Sequence, residues 1–323
     1  MANRFLIGAL ACGLSLAALV GESPAEDFPS RPVKFIVSVG AGSPTDVVAR
    51  LIADRASKEL GQPIVVENIA GANGVLAAQA VTRANPDGYT LLMGNASTHG
   101  INPALIKALP YDAVNDFAPI SNVASSVYVL ATHPSIPAGN TKELIEYIKA
   151  NPGKLTIGSG ATASLLSGEM FRVQNDLSLI GVPYKGAAQT VGDLVAGQIS
   201  MSFTDLVNTI PHREAGRLKF YAVTGPKRSP LVPDVPTMRE AVGKDLNVTP
   251  WIAIFAPAKT PRPVIDKLNA AIAATLKDPI VVKRLFDLSL EATPSTPEAL
   301  GAFVVDEIKR TKEMVAATGI EPK

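Results

Sequence analysis

Cysteine is almost missing from this chain. Its 323 residues hold one, Cys12, inside an N-terminal apolar stretch. If that stretch is removed, the remaining chain has no disulfide, no thiol nucleophile and no thiolate metal site. A chain of roughly 300 residues buries enough core to be stable without such staples. Histidine is nearly as scarce. His99, His133 and His212 form no helical pair and have no second ligand at metal spacing, which disfavours a zinc centre. Aromatic residues make up 5%, too few for a sugar- or base-stacking surface. Net charge is +1, so no strong field draws the molecule to nucleic acid or to an anionic membrane. Enzyme signatures are missing as well. No G-x-S-x-G elbow occurs, and the stretch from Gly192 to Gln198 lacks the lysine and hydroxyl of a phosphate-binding loop.

What is present begins with an export signal. Arg4 precedes Phe5–Val20, an uncharged run rich in Leu and Ala, and Ser23-Pro24-Ala25 then supplies small residues. This pattern predicts a secretory signal cut after Ala25, and therefore a periplasmic protein. The apolar run of sixteen residues is short for a membrane span. Ala9-Leu10-Ala11-Cys12 loosely fits a lipoprotein box, but most of the apolar run follows the cysteine. Apolar content of 47% and charge of 18% are those of a globular protein, and the length points to about two domains.

Strand-like and helix-like segments then alternate. Val33–Val39, Pro63–Glu67 and Tyr89–Met93 read as strands separated by helices over Asp46–Leu60 and Gly74–Ala84. The same rhythm resumes from Lys142 to Val223. It predicts an α/β protein with mostly parallel sheet and helices on both faces. One internal echo bears on domain layout. Ser126–Ala131 and Trp251–Phe255 are each an apolar strand followed by two prolines and a helix. If these are crossovers, domain one is discontinuous, 26–124 plus 251–323, with domain two at 125–250. If the echo is chance, the domains are sequential and the helices Val264–Leu276 and Pro297–Ala317 cap the second.

Four loops at strand C-terminal ends are rich in Gly, Ser and Thr, on the edge where α/β sheets hold ligands. The first, Val37–Asp46, imitates half of a dinucleotide fingerprint, with Gly40 and Gly42 after a strand and Glu67 ending the next. Thr45 replaces the third glycine, and export separates the chain from nicotinamide cofactors, so no cofactor is expected. The loop reads instead as an anion cradle. Ser43 is the predicted N-cap, Pro44 the first helical residue, and Asp46 the acid of a capping box. Free amides and the helix dipole favour a negative guest there. The plain alternative is a capped βα turn. The other three loops are Met93–Thr98, Leu155–Ser164 and Val182–Gly186. Loops of this kind on two facing domains make a cleft for a small anion. His99, just after the third strand, is a further candidate contact, and an enzyme built on Ser97, Ser159 or His99 is the reading from another class.

The chain also resembles a known family. "RPVKFIVSVGAGSPTDVVARLIA", "LGQPIVVENIAGANG", "NPDGYTLLMGNASTHGINP", "VPYKGAAQTVGDLVAGQI" and "VTGPKRSPLVPDVPTMREA" together are similar to Bug-type extracytoplasmic receptors of tripartite tricarboxylate transporters. The resemblance spans essentially the whole chain after the signal. It implies two α/β domains of the type II periplasmic-binding-protein kind with the ligand cleft between them, which favours the discontinuous layout. It implies no catalysis, a small organic carboxylate as ligand, membrane transporter subunits as partners, and a monomer; a receptor feeding a sensor kinase is the alternative use. Matched by position, the ligand-facing residues are Ser38, Ala41, Gly42, Ser43 and Asp46; Ser97 and Thr98; Ser159, Gly160, Ala161, Thr162 and Ser164; Tyr184, Lys185 and Gly186; and Thr204 and Asp205. Departures are informative. Ser38 stands where relatives carry Pro, Ser43-Pro44 where they carry glycines, and Thr204-Asp205 where Asp-Asn is frequent. Lys185 can pair with a carboxylate or pin a turn, and Asp205 can receive an amine or cap the following helix.

Overall fold

The computed structural model describes residues 28–322. The expected signal, its cleavage at Ala25 and Cys12 lie outside the described residues. The strands, in chain order, are β1 (Val33–Val37), β2 (Ile64–Asn68), β3 (Thr90–Asn95), β4 (Phe117–Ser125), β5 (Tyr128–Thr132), β6 (Thr156–Ser159), β7 (Ile180–Pro183), β8 (Met201–Asp205), β9 (Lys219–Val223), β10 (Trp251–Pro257) and β11 (Glu291–Ala292). The α-helices are α1 (Pro44–Leu60), α2 (Val75–Thr82), α3 (Asn102–Leu105), α4 (Thr141–Ala150), α5 (Thr162–Gln174), α6 (Ala187–Val195), α7 (Ile210–Glu214), α8 (Met238–Val242), α9 (Arg262–Thr275), α10 (Pro279–Asp287) and α11 (Pro297–Thr318).

The strands form two sheets. One has the order β11-β4-β10-β3-β1-β2, the other β7-β6-β8-β5-β9. β1 pairs in parallel with both β2 and β3. It is buried on both faces, which is why it reads as a continuous apolar run. Phe35, Ile52, Leu91 and Leu268 pack on one side of the sheet, and Ile36, Leu92, Phe255 and Val304 on the other. Both sheets are mixed, because β10 lies antiparallel between β3 and β4, and β5 lies antiparallel between β8 and β9.

The chain leaves the first sheet at Ser125 and joins the second at Tyr128; it returns between Val223 and Trp251. The two passages run side by side. Ser126 N–H donates to the Pro250 carbonyl at 2.9 Å, and the Ser126 hydroxyl donates to the Ser289 carbonyl at 2.8 Å. Helix α11 belongs to both lobes. Leu300 and Val304 sit in the core beside the first sheet, while Met314 and Val315 complete the core of the second.

Two local expectations change. β4 was not anticipated as a strand; Pro119 lies beside an irregularity in its pairing with β10, a place where a sheet tolerates proline. At α1 the Ser43 hydroxyl accepts from Asp46 N–H, as expected of an N-cap. Asp46, however, does not close a box on Ser43: its carboxylate accepts instead from Gly42 N–H at 2.9 Å.

Candidate functional site

The loop after β1 is a braced frame. Gly42 adopts φ +81°, a left-handed conformation that glycine takes without strain. Asp46 is buried and accepts from Gly42 N–H, from Arg50 Nε at 3.0 Å and from Asn68 Nδ2 at 2.8 Å. The Arg50 guanidinium and these amides hold its carboxyl down at about 2. Ser38 is buried too, its hydroxyl accepting from Asn95 Nδ2 at 3.2 Å. Thr98 is fully buried and accepts from Asn95 N–H at 2.9 Å. Beyond this frame the loop offers Pro44 and Thr45, the first turn of α1, to a cavity.

That cavity, about 420 Å³, opens between the strand C-terminal ends of both sheets. From the first sheet come Pro44 and Thr45, and Asn95, Ala96 and Ser97 after β3. From the second come Ala161, Thr162 and Ala163 at the start of α5, Ala187 at the start of α6, and Asp205 to Asn208 after β8. The two chain passages and the turn after α10 close the back through Ser126, Tyr128, Trp251, Leu288 and Leu290. Neither α5 nor α6 has a side-chain N-cap. The uncapped N-termini of α5 and α6 therefore face one space with the first turn of α1, where Ser43 takes the Asp46 N–H and Pro44 has none, an arrangement that favours a small anion without any cationic side chain. Indeed, among the described residues the cavity wall carries one charged side chain, and it is the acid Asp205.

Of the residues matched from sequence, Ser97, Ala161, Thr162 and Asp205 line this cavity. Gly160, Ser164 and Thr204, again with Ala161 and Asp205, line a recess of about 40 Å³ that shares walls with it. The others line neither. Ser38, Thr98 and Asp46 brace the loops from within. Ala41 and Gly42 are exposed, and Ser43 caps α1. Ser159 ends β6 and Gly186 is the N-cap position of α6. Tyr184 donates its hydroxyl to Asp193 at 2.8 Å. Lys185 is exposed and makes no ion pair among the described residues. Asp205 does cap the next turn, its Oδ1 accepting from Asn208 N–H at 3.0 Å, and it lines the cavity as well.

Tyr128, Trp251 and Leu288 to Leu290 were not singled out from sequence. The signal for the first two lay in their positions within and at the start of the crossover strands; the last three come from a turn whose preceding helix, α10, was not anticipated. His99 is not on the cavity. It is fully buried, stacked on Phe255 with ring centroids 3.9 Å apart and planes 5° from parallel, and desolvation pushes its pKa down to about 3.

A family model described as tripartite tricarboxylate transporter family receptor matches residues 48–320. The chain belongs to this family. Protein BugT of Bordetella pertussis is 32% identical over 322 residues, covering 98% of each chain. Among solved structures, an R. palustris protein with adipate superposes with a TM-score of 0.79 at 32% identity, over 92% of this chain and 100% of that one. MatC from Rhodopseudomonas palustris with bound malate gives 0.74 at 35% identity, over 89% of this chain and 100% of the other. The two-sheet α/β architecture is thus that of a periplasmic binding protein with its cleft between lobes.

Proposed function

We propose that this protein is an extracytoplasmic receptor that closes on a small organic carboxylate and hands it to a tripartite tricarboxylate-type membrane transporter. The observation that carries the reading is the convergence of the α1, α5 and α6 N-termini on one cleft. Relatives solved with adipate and with malate support the ligand class. A carboxylate held by amides from both lobes binds the closed form better than the open one, and so drives closure. On this reading the lobes follow the discontinuous layout, 26–124 plus 251–323 and 125–250, the two passages are the hinge, the N-terminal residues are an export signal, and the receptor works as a monomer without chemistry of its own.

Thermal unfolding against a panel of carboxylic acids tests it. A true ligand at about 100 times its dissociation constant stabilises by roughly 2.7 kcal/mol. A panel in which neutral sugars or cations raise the melting temperature and no carboxylate does would end the proposal. Mass spectrometry of each hit after incubation checks for turnover; unchanged ligand is expected.

A further inference from the structure

The recess beside the main cavity has an unusual polar content. Its volume of about 40 Å³ is enough for one water-sized group. Asp205 spends Oδ1 on the Asn208 backbone and side-chain amides, at 3.0 and 2.7 Å, and among the described residues no other residue donates to its carboxylate. Thr204, 3% exposed, has a buried hydroxyl with no partner among the described residues. Tyr128, opposite Asp205 in the β5–β8 pairing, lines both spaces and makes no side-chain hydrogen bond among the described residues. The recess is therefore lined by one carboxylate residue and by two residues, Thr204 and Tyr128, whose hydroxyls have no hydrogen-bond partner among the described residues.

A carboxylate oxygen left without donors becomes costly once a cleft closes and excludes water. A second carboxylate placed against it adds like-charge repulsion. A protonated amine does the opposite: it brings three N–H donors and a compensating charge. We infer that the ligand is a carboxylic acid that also carries a protonated amino group, with the carboxylate at the helix N-termini and the ammonium against Asp205 and Thr204. This rests on the carboxylate-receptor reading and narrows it. Burial raises the Asp205 pKa, the expected behaviour of an acid that awaits a cationic partner. The cavity wall also carries Ile101, Leu206, Trp251 and Leu290, apolar surface that suits an aliphatic or aromatic spacer.

Calorimetric titration of the wild type, Asp205→Asn and Thr204→Val tests this with aminocarboxylates, dicarboxylates and monocarboxylates of matched length. Asn at 205 keeps an oxygen for the Asn208 amides, so the turn survives. In the wild type an aminocarboxylate is expected to bind at least about tenfold more tightly than its matched dicarboxylate. Asp205→Asn should invert that order, and Thr204→Val should weaken the aminocarboxylate alone. If dicarboxylates bind the wild type as well as aminocarboxylates, or if both lose affinity equally in Asp205→Asn, the ammonium assignment is overturned while the receptor reading stands. If no member of any class binds, both fall.

Discussion

Replacing Asp46 by Asn isolates the brace behind the first ligand loop. The wild-type carboxylate accepts from Gly42 N–H, Arg50 Nε and Asn68 Nδ2, and only its ionised form accepts all three. Its pKa falls from 3.8 to about 2. That lowering corresponds at full strength to about 2.5 kcal/mol. Arg50 is half exposed, 52% by side chain, and solvent screens part of that contribution, so about 1–2 kcal/mol is expected. The sign follows from linkage. Because the folded pKa is depressed, the stabilisation is fully present above about pH 4 and is lost as pH falls towards 2. An Asn amide would turn its NH2 towards donors already there, so Asp46→Asn should lower stability by about 1–3 kcal/mol at neutral pH. It should also lose less than the wild type between pH 4.5 and 2.5. Urea unfolding followed by circular dichroism across that range measures both. A variant within about 0.5 kcal/mol of wild type at pH 7, with the same slope in acid, would refute the role given to Asp46.

Other expectations follow from the same contacts. His99 stays neutral when folded, down to about pH 3, while the unfolded chain takes a proton near pH 6.5, so burial of this ring costs stability progressively between those values. His99→Leu should flatten that part of the pH–stability curve by up to about 1.4 kcal/mol per pH unit, read from denaturant midpoints at pH 6.5 and 4.5. A Cβ at Gly160 would lie 2.5 Å from the Gly186 carbonyl carbon and 2.6 Å from Thr190 Oγ1. Gly160→Ala therefore pushes the α5 and α6 N-termini apart; a loss of about 1–3 kcal/mol in stability is expected, with weaker binding of any carboxylate ligand by calorimetry. Lys185→Ala, at an exposed side chain off both spaces, should change ligand affinity by less than about threefold; a larger loss would return Lys185 to the site.

The sequence made the βα rhythm legible because parallel strands buried on both faces, such as Val33–Val37, leave unbroken apolar runs. It hid β4, whose residues Pro119, Ser121 and Asn122 interrupt the pattern; the Ser121 hydroxyl bonds the adjacent Asn122 carbonyl and, across the sequence, donates to the Ser295 carbonyl and accepts from Ser295 N–H. It also hid α10. Asp278-Pro279 looks like the stop of the preceding helix, yet Asp278 is an N-cap and Pro279 the first residue of a new one. For the site, the loops were legible but not the division of labour within them. Whether Ser38 faces a guest or the core depends on Asn95, which arrives from another strand and also holds Thr98, three residues further on. Tyr128 and Trp251 reach the cavity because the two passages lie side by side, a pairing between positions more than a hundred residues apart that no local pattern encodes.

The shared helix α11 sets the order in which this molecule can be made. Met314 and Val315 fill the core of a lobe whose strands lie between residues 128 and 223. Neither lobe finishes packing until α11 is available, so a nascent chain holds an open core until that helix has been made. Contacts of such long sequence separation slow folding. That delay keeps the polypeptide loosely packed for longer than two lobes folding one after the other would allow. Removing α11 would leave apolar surface bare on both lobes at once, so the truncation fails as a whole rather than costing one lobe alone.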